Sequence, residues 1–185
     1  MATDPVGPPP PCDFPDLMTV SPVLILPGAT NPDPSDDPIP GGRWELIAVF
    51  LTPSLPVAIS GEARGILELN ASSDLTGLSN NAFNVQGEAN PGATLFDESL
   101  NFAGPYAAAM GALGVTDECS NPPVASSIAY RVDTSGPEPA LTLWNSLDAE
   151  AGPITITIDA ELLYLLVEPQ PGDPVFEDRF EGADR

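Results

Sequence analysis

Carboxylates are the only side chains in this sequence that are numerous enough to suggest chemistry. The chain of 185 residues has 27 aspartates and glutamates, five arginines, no lysine and no histidine. Catalytic systems and metal sites that need an imidazole are therefore excluded, and so is lysine chemistry. Adjacent carboxylates that could supply a general acid and a general base occur at Asp97-Glu98, Asp117-Glu118 and Glu177-Asp178.

The spacing of these adjacent carboxylates argues against catalysis. Consecutive residues of a strand point to opposite faces of a sheet, so two neighbouring carboxylates do not make a ready dyad. We expect them to be solvated surface groups, and we expect the protein not to be an enzyme.

Calcium is the metal that would suit such a composition, because it takes oxygen ligands only. Acidic residues cluster in the loop 33–37 and in the tail 173–178. Neither segment has the alternating Asp-x-Asp-x-Asp-Gly spacing of a calcium loop. The sequence therefore predicts no cofactor, and calcium remains the weaker alternative.

The net charge of −22 limits the partners of this protein. A strongly negative surface repels nucleic-acid backbones and anionic lipid, so we expect no nucleic-acid partner. The chain has no apolar run of the ~18 residues that a membrane span needs, so we expect no membrane insertion. Abundant aspartate without lysine favours a salt-tolerant or extracellular surface, and we place the protein outside the cell or in the cell envelope.

The two cysteines, Cys12 and Cys119, are candidates for a disulfide. A bridge between them would close a loop of about a hundred residues, which stabilises a fold by roughly 4–5 kcal/mol. Two free thiols are the alternative. We favour the disulfide because the rest of the composition is typical of a secreted protein.

Proline divides the chain into three parts. Twelve of the 24 prolines lie in residues 1–40, which we interpret as an extended, proline-rich acidic arm. Residues 41–167 form the predicted single domain, and residues 168–185 form an acidic tail. Within the arm, residues 18–26 are an apolar island that can pack on a neighbouring surface, either of the same chain or of another copy.

Alternation of apolar and polar residues predicts that the central domain is mainly β. The predicted strands cover residues 43–51, 63–70, 83–88, 94–102, 127–133, 140–145 and 153–159, and a further strand, apolar throughout, covers residues 160–167. The alanine-rich segment 105–113 begins with a proline, which favours one short helix there.

The last predicted strand, residues 160–167, is apolar on both faces and needs cover on each side or along its edge. The apolar island of the arm is the obvious cover. The residues that we predict for this strand-exchange or interface contact are Val20, Val23, Leu24, Ile25, Leu26, Leu162, Leu163, Tyr164, Leu165, Leu166 and Val167.

Several short motifs occur in a suggestive order between residues 42 and 158. They are Gly42-Arg43-Trp44-Glu45-Leu46, Gly77-Leu78-Ser79-Asn80-Asn81-Ala82-Phe83, Leu100-Asn101-Phe102 through Ala108-Ala109-Met110-Gly111-Ala112, Tyr130-Arg131-Val132 and Leu141-Thr142-Leu143. This order resembles the META domain family of HslJ-like heat-shock and envelope lipoproteins. The two cysteines of that family are absent, and Asn80 and Ala112 stand where they would fall.

The resemblance implies a compact, mainly β domain with a curved antiparallel sheet or partly open barrel, on a secreted or envelope protein. It implies no enzymatic activity. We therefore expect a secreted or cell-envelope, non-enzymatic domain with a binding or structural role. The alternative is a self-assembling subunit of an extracellular filament or surface layer, whose N-terminal arm exchanges a strand with copies of itself.

Overall fold

A computed structural model describes residues 12–56, 58–71, 75–87, 93–151 and 154–173. These residues form nine strands and one turn of 3-10 helix at Leu17–Thr19. The strands are β1 (Val23–Pro27), β2 (Gly42–Pro53), β3 (Ile59–Asn70), β4 (Thr76–Gly87), β5 (Ala93–Ala109), β6 (Ala112–Asp117), β7 (Val124–Asp133), β8 (Ala140–Ala151) and β9 (Ile154–Pro169). The predicted mainly β class is confirmed.

The strands form one curved sheet that closes in a ring. From β2 to β9 each strand pairs antiparallel with the next along the chain. β9 then pairs antiparallel with β2, from Gly42 opposite Pro169 to Pro53 opposite Ile158. Because β9 pairs with both β2 and β8, both of its edges are occupied.

β1 lies in the wall of the ring between β2 and β3. Those two strands pair directly only between residues 42–45 and 66–69. Beyond that point β1 runs parallel to residues 49–51 of β2 and antiparallel to residues 62–63 of β3. The expectation that the apolar island covers β9 within the same chain is therefore corrected, since β2 and β8 take that place.

The part of the arm that precedes β1, as far as it is described, lies against the outside of the ring. Arg64 of β3 donates to the carbonyls of Leu17 and Val20, at 3.2 and 2.9 Å. Asn80 of β4 donates to the carbonyl of Pro15 at 2.8 Å. These bonds hold the arm against β3 and β4 before the chain enters β1.

The predicted helix at residues 105–113 is wrong. The segment is the end of β5, a tight turn and the start of β6, with Tyr106 opposite Val115 and Ala109 opposite Ala112. Met110 and Gly111 make the turn with positive φ angles of 52° and 72°. The helix propensity of alanine is weak compared with the ladder that this hairpin adds to the sheet, so tertiary pairing prevails.

Alternate residues of the strands fill the interior of the ring with a mostly apolar core. The fully buried side chains of greatest volume are Trp44, Tyr130, Tyr164, Ile66, Leu67, Leu113, Leu141, Ile158, Val49, Val85 and Pro40. The indole of Trp44 donates to the carbonyl of Pro40 at 3.2 Å, and the phenol of Tyr130 donates to the carbonyl of Asp37 at 3.0 Å. The core therefore also fixes the chain that joins β1 to β2.

Candidate binding site in the ring interior

The core leaves a cavity of about 330 Å³ on one side of the ring. Its lining is mostly apolar and comes from β3 to β9. The residues are Leu67, Ser79, Asn81, Asn101, Phe102, Leu113, Val115, Ser126, Ile128, Leu143, Trp144, Asn145, Leu147, Ala160, Leu162 and Tyr164. We call this space the interior cavity.

Strand alternation places two polar side chains of β4 in this apolar interior. Phe83 and Val85 are buried, and so are Ser79 and Asn81, which lie four and two residues before Phe83 on the same face. On β9 the same alternation directs Leu162 to the cavity and Tyr164 to its buried end.

Ser79, Asn81 and Tyr164 form a buried hydrogen-bonded group, which we call the polar cluster. The Tyr164 hydroxyl donates to Oδ1 of Asn81 at 2.7 Å, and Nδ2 of Asn81 donates to Oγ of Ser79 at 2.6 Å. The backbone N–H of Asn81 also donates to Oδ1 of Asn101 at 3.3 Å, toward the rim. Burial raises the pKa of the Tyr164 phenol above its ordinary value, which already lies well above neutral pH, and the phenol is therefore uncharged.

The strand register explains why the cavity reaches the surface. β7 pairs with β8 only from Ala129 opposite Trp144 to Asp133 opposite Ala140. The first half of β7 pairs with β6, and residues 145–151 of β8 pair with β9. The two strands therefore diverge, and the exposed side chains of Asn101, Ser126 and Asn145 lie around this opening.

The interior cavity is uncharged in a strongly acidic protein. Among its described lining residues, the only ionisable side chain is the phenol of Tyr164. None of the described lining residues is an aspartate or glutamate. Asp117 accepts hydrogen bonds from the backbone of Ala103 and Cys119, at 3.2 and 3.1 Å, and holds the turn after β6.

A second, larger depression of about 540 Å³ lies at one end of the ring. Its lining combines Arg43 with the carboxylates of Glu68, Glu118 and Glu168, and Arg43 lies 3.7 Å from Glu68. In the described part of the chain no group of three His, Cys, Asp or Glu residues could hold a metal ion. The residues 33–37 predicted as the weaker calcium candidate are described, whereas most of the segment 173–178 and the pair Glu177-Asp178 lie outside the described residues.

The predicted interface residues do not form one surface. On β1, Ile25 is buried in the core, while Leu24 and Leu26 are 66% and 43% exposed. On β9, Tyr164 and Leu166 are buried inside the ring, whereas Val167 is 44% exposed. Of the remaining predicted residues Val20 is buried, and Val23, Leu162, Leu163 and Leu165 are half-buried.

Cys12 and Cys119 form a disulfide, with their Cα atoms 5.8 Å apart. The bridge joins the first described residue of the arm to the turn between β6 and β7. The arm that delivers β1 is thus tied to the ring at its outer end.

Sequence reasoning missed Ser79 and Asn81. The alternation predicted a strand over residues 83–88 only, so it began at Phe83. Extending the same alternation backward by four residues would have placed both polar side chains in the core, because β4 begins at Thr76.

No helix among the described residues has the length and apolar character needed to cross a membrane. Comparisons with protein-family models, with curated proteins and with solved structures find no match to this chain.

Proposed function

We propose that the protein is a secreted or cell-envelope, non-enzymatic domain of META-like type that binds a small molecule inside its ring. The observation that carries this proposal is the interior cavity, which is mostly apolar and contains one buried polar cluster. Ligand sites are typically concave and apolar, with a few fixed polar groups that orient the ligand, and their volumes begin at about 300 Å³. The interior cavity has these properties.

Packing energetics support a binding role for this space. Protein interiors are normally close-packed, and an unfilled volume lowers stability because its lining loses contacts. Leu113 and Leu67 at the closed end are almost completely buried, so the cavity penetrates the core instead of lying on the surface. A bound apolar molecule would restore the missing contacts.

The cell-envelope or extracellular setting is supported by two features. The Cys12–Cys119 disulfide is typical of oxidising compartments, and the acidic, lysine-free composition suits an exposed surface.

Binding of an uncharged dye tests the proposal. Aminoanthracene, whose fluorescence rises in apolar surroundings, should bind with a stoichiometry of one. Ala160→Phe projects a ring into the interior cavity from a residue that is 4% exposed, and it should abolish the signal. Leu163→Phe, on the outer face of the same strand, is the matched control and should leave the signal unchanged. Equal dye binding by both variants would contradict the proposal.

Self-assembly by strand exchange is a second candidate, favoured by the position of β1. This strand belongs to the N-terminal arm and fills the gap where β2 and β3 diverge. The same gap in another copy offers the same backbone groups, so β1 could be donated between copies. Light scattering at low and high salt tests this candidate: large oligomers would support it, and a stable monomer of 19.2 kDa under both conditions would contradict it.

A further inference from the structure

We infer that the interior cavity selects uncharged molecules with an apolar body and one hydroxyl group, and that this hydroxyl binds at the polar cluster. The inference rests on the proposed function, and it adds the chemical class of the ligand. Three properties of the site lead to it: the absence of charge in the described lining, the hydrogen-bonding capacity left in the polar cluster, and the apolar surface around that cluster.

The charge distribution excludes ionic ligands from the interior cavity. An anion would approach a protein of net charge −22 and then lose its hydration beside side chains that carry no positive charge. A cation would be attracted at long range, but the described lining offers it no carboxylate. A neutral molecule has no charge to desolvate and needs no oppositely charged group in the lining.

Two hydroxyl groups of the polar cluster, those of Ser79 and Tyr164, can form a further hydrogen bond. Oγ of Ser79 accepts the bond from Asn81, so the Ser79 hydroxyl still has its own proton to donate. The Tyr164 hydroxyl uses its proton on Asn81, and the lone pairs of its oxygen can still accept. A ligand hydroxyl is itself a donor and an acceptor, so it can bond to both groups at once.

The apolar side chains around the polar cluster require that the rest of the ligand be apolar. Leu67, Leu113 and Leu143 are buried side chains that line the same space, and Leu162 lies two residues from Tyr164 on β9. Apolar atoms of the ligand would contact these residues, while its hydroxyl faces the cluster. A hydrocarbon of the same shape would leave the hydroxyls of Ser79 and Tyr164 desolvated and without a ligand partner, which weakens binding.

A matched ligand series tests this inference by displacement of aminoanthracene from the full-length, disulfide-bonded protein. The probes are para-propylphenol, propylbenzene and para-propylbenzoate, which share one apolar body and differ in a hydroxyl, a hydrogen and a carboxylate. The phenol should bind at least about tenfold more tightly than the hydrocarbon, and the benzoate should not displace the dye. Equal binding of the phenol and the hydrocarbon, or tight binding of the benzoate, would overturn the inference but leave the proposed function intact.

Variants of the polar cluster give a second readout. Ser79→Ala removes the donor with little change of volume, and it should reduce the preference for phenol over hydrocarbon several-fold while binding of propylbenzene is retained. Ala82→Ser, on the opposite face of β4 at a half-buried position, is the control and should keep the full preference. An unchanged preference in Ser79→Ala would overturn the assignment of the hydroxyl to the cluster. If neither the dye nor any of the three probes binds to the protein, the proposed function itself is contradicted.

Discussion

Tyr164 on β9 donates a hydrogen bond of 2.7 Å to Asn81 on β4, a residue 83 positions away in the sequence. The two strands are not neighbours, because β3 and β2 lie between them in the sheet. The bond therefore crosses the interior of the ring and links two separate parts of its wall. It also places the polar cluster at the buried end of the interior cavity.

Tyr164→Phe should lower the free energy of unfolding by about 1–3 kcal/mol, because it removes a buried donor while keeping the ring. Tyr106→Phe is the matched control. The Tyr106 hydroxyl donates to the carbonyl of Asn70 at 3.4 Å from a partly buried position, so its loss should be smaller. Urea denaturation of both variants measures the difference. A larger loss in the Tyr106 variant would show that the bond across the ring is of minor structural importance.

The three tyrosines should not ionise near their ordinary pKa in the folded protein. Burial raises the pKa of Tyr106 to about 12, with a smaller contribution from the nearby charge of Asp173, and burial also raises the pKa values of Tyr130 and Tyr164. A raised pKa means that the folded state holds its proton where the unfolded state has lost it. The contribution of Tyr106 to stability is thus complete below pH 10.0 and is lost as the pH rises toward about 12.

Alkaline titration followed by tyrosinate absorbance checks this expectation. The sequence has no lysine and both cysteines are in the disulfide, so few other groups titrate in the same range. Ionisation should begin well above pH 10 and coincide with unfolding observed by circular dichroism. A reversible ionisation step near pH 10 in the folded protein would contradict the buried placement of at least one tyrosine.

Removing the disulfide should destabilise the protein by about 4 kcal/mol, because Cys12 and Cys119 are 107 residues apart and their bridge restricts a large loop in the unfolded chain. The comparison is between the oxidised protein and the Cys12→Ser/Cys119→Ser variant in chemical denaturation. The variant should also free the outer end of the arm, so any strand exchange should increase relative to the oxidised protein. A variant of unchanged stability would indicate that the two cysteines are not bridged.

The position of β1 in the wall predicts a large loss of stability at Ile25 and a small one at its neighbour Leu24. Ile25→Ala should cost about 2–4 kcal/mol, because Ile25 is 6% exposed and contributes to the core. Leu24→Ala, at a residue 66% exposed, should change the stability by less than about 1 kcal/mol. Thermal and urea unfolding of both variants test the placement. Similar small effects for the two substitutions would show that β1 is not seated between β2 and β3.

The strands were predictable from the sequence wherever alternation was strong, as at Ile156 and Ile158 of β9. The hairpin at Met110 and Gly111 was not, because local alanine content favours a helix and only the pairing with β6 reverses that preference. The closure of the ring was also not predictable, since the pairing of β2 with β9 joins residues more than a hundred positions apart. Local patterns contain little information about such contacts.

In the candidate site, too, some features were predictable from the sequence and others depend on tertiary pairing. The apolar character of residues 160–167 was evident, but the sequence interpretation sought their cover in the arm, whereas β2, β8 and the ring interior supply it. The interior cavity depends on where β7 and β8 diverge, which is set by register. The polar cluster joins β4 to β9, and no local motif connects Asn81 with Tyr164.

The most direct test of a binding site inside the ring is to locate a bound probe by amide chemical-shift mapping of isotope-labelled protein titrated with para-propylphenol. Binding in the interior cavity predicts saturable shifts concentrated at Ser79, Asn81, Leu113 and Tyr164, with little change along β1 or at the ring end near Arg43. Shifts confined to the outer surface, or no saturable shifts at probe concentrations near its solubility limit, would contradict a binding site inside the ring.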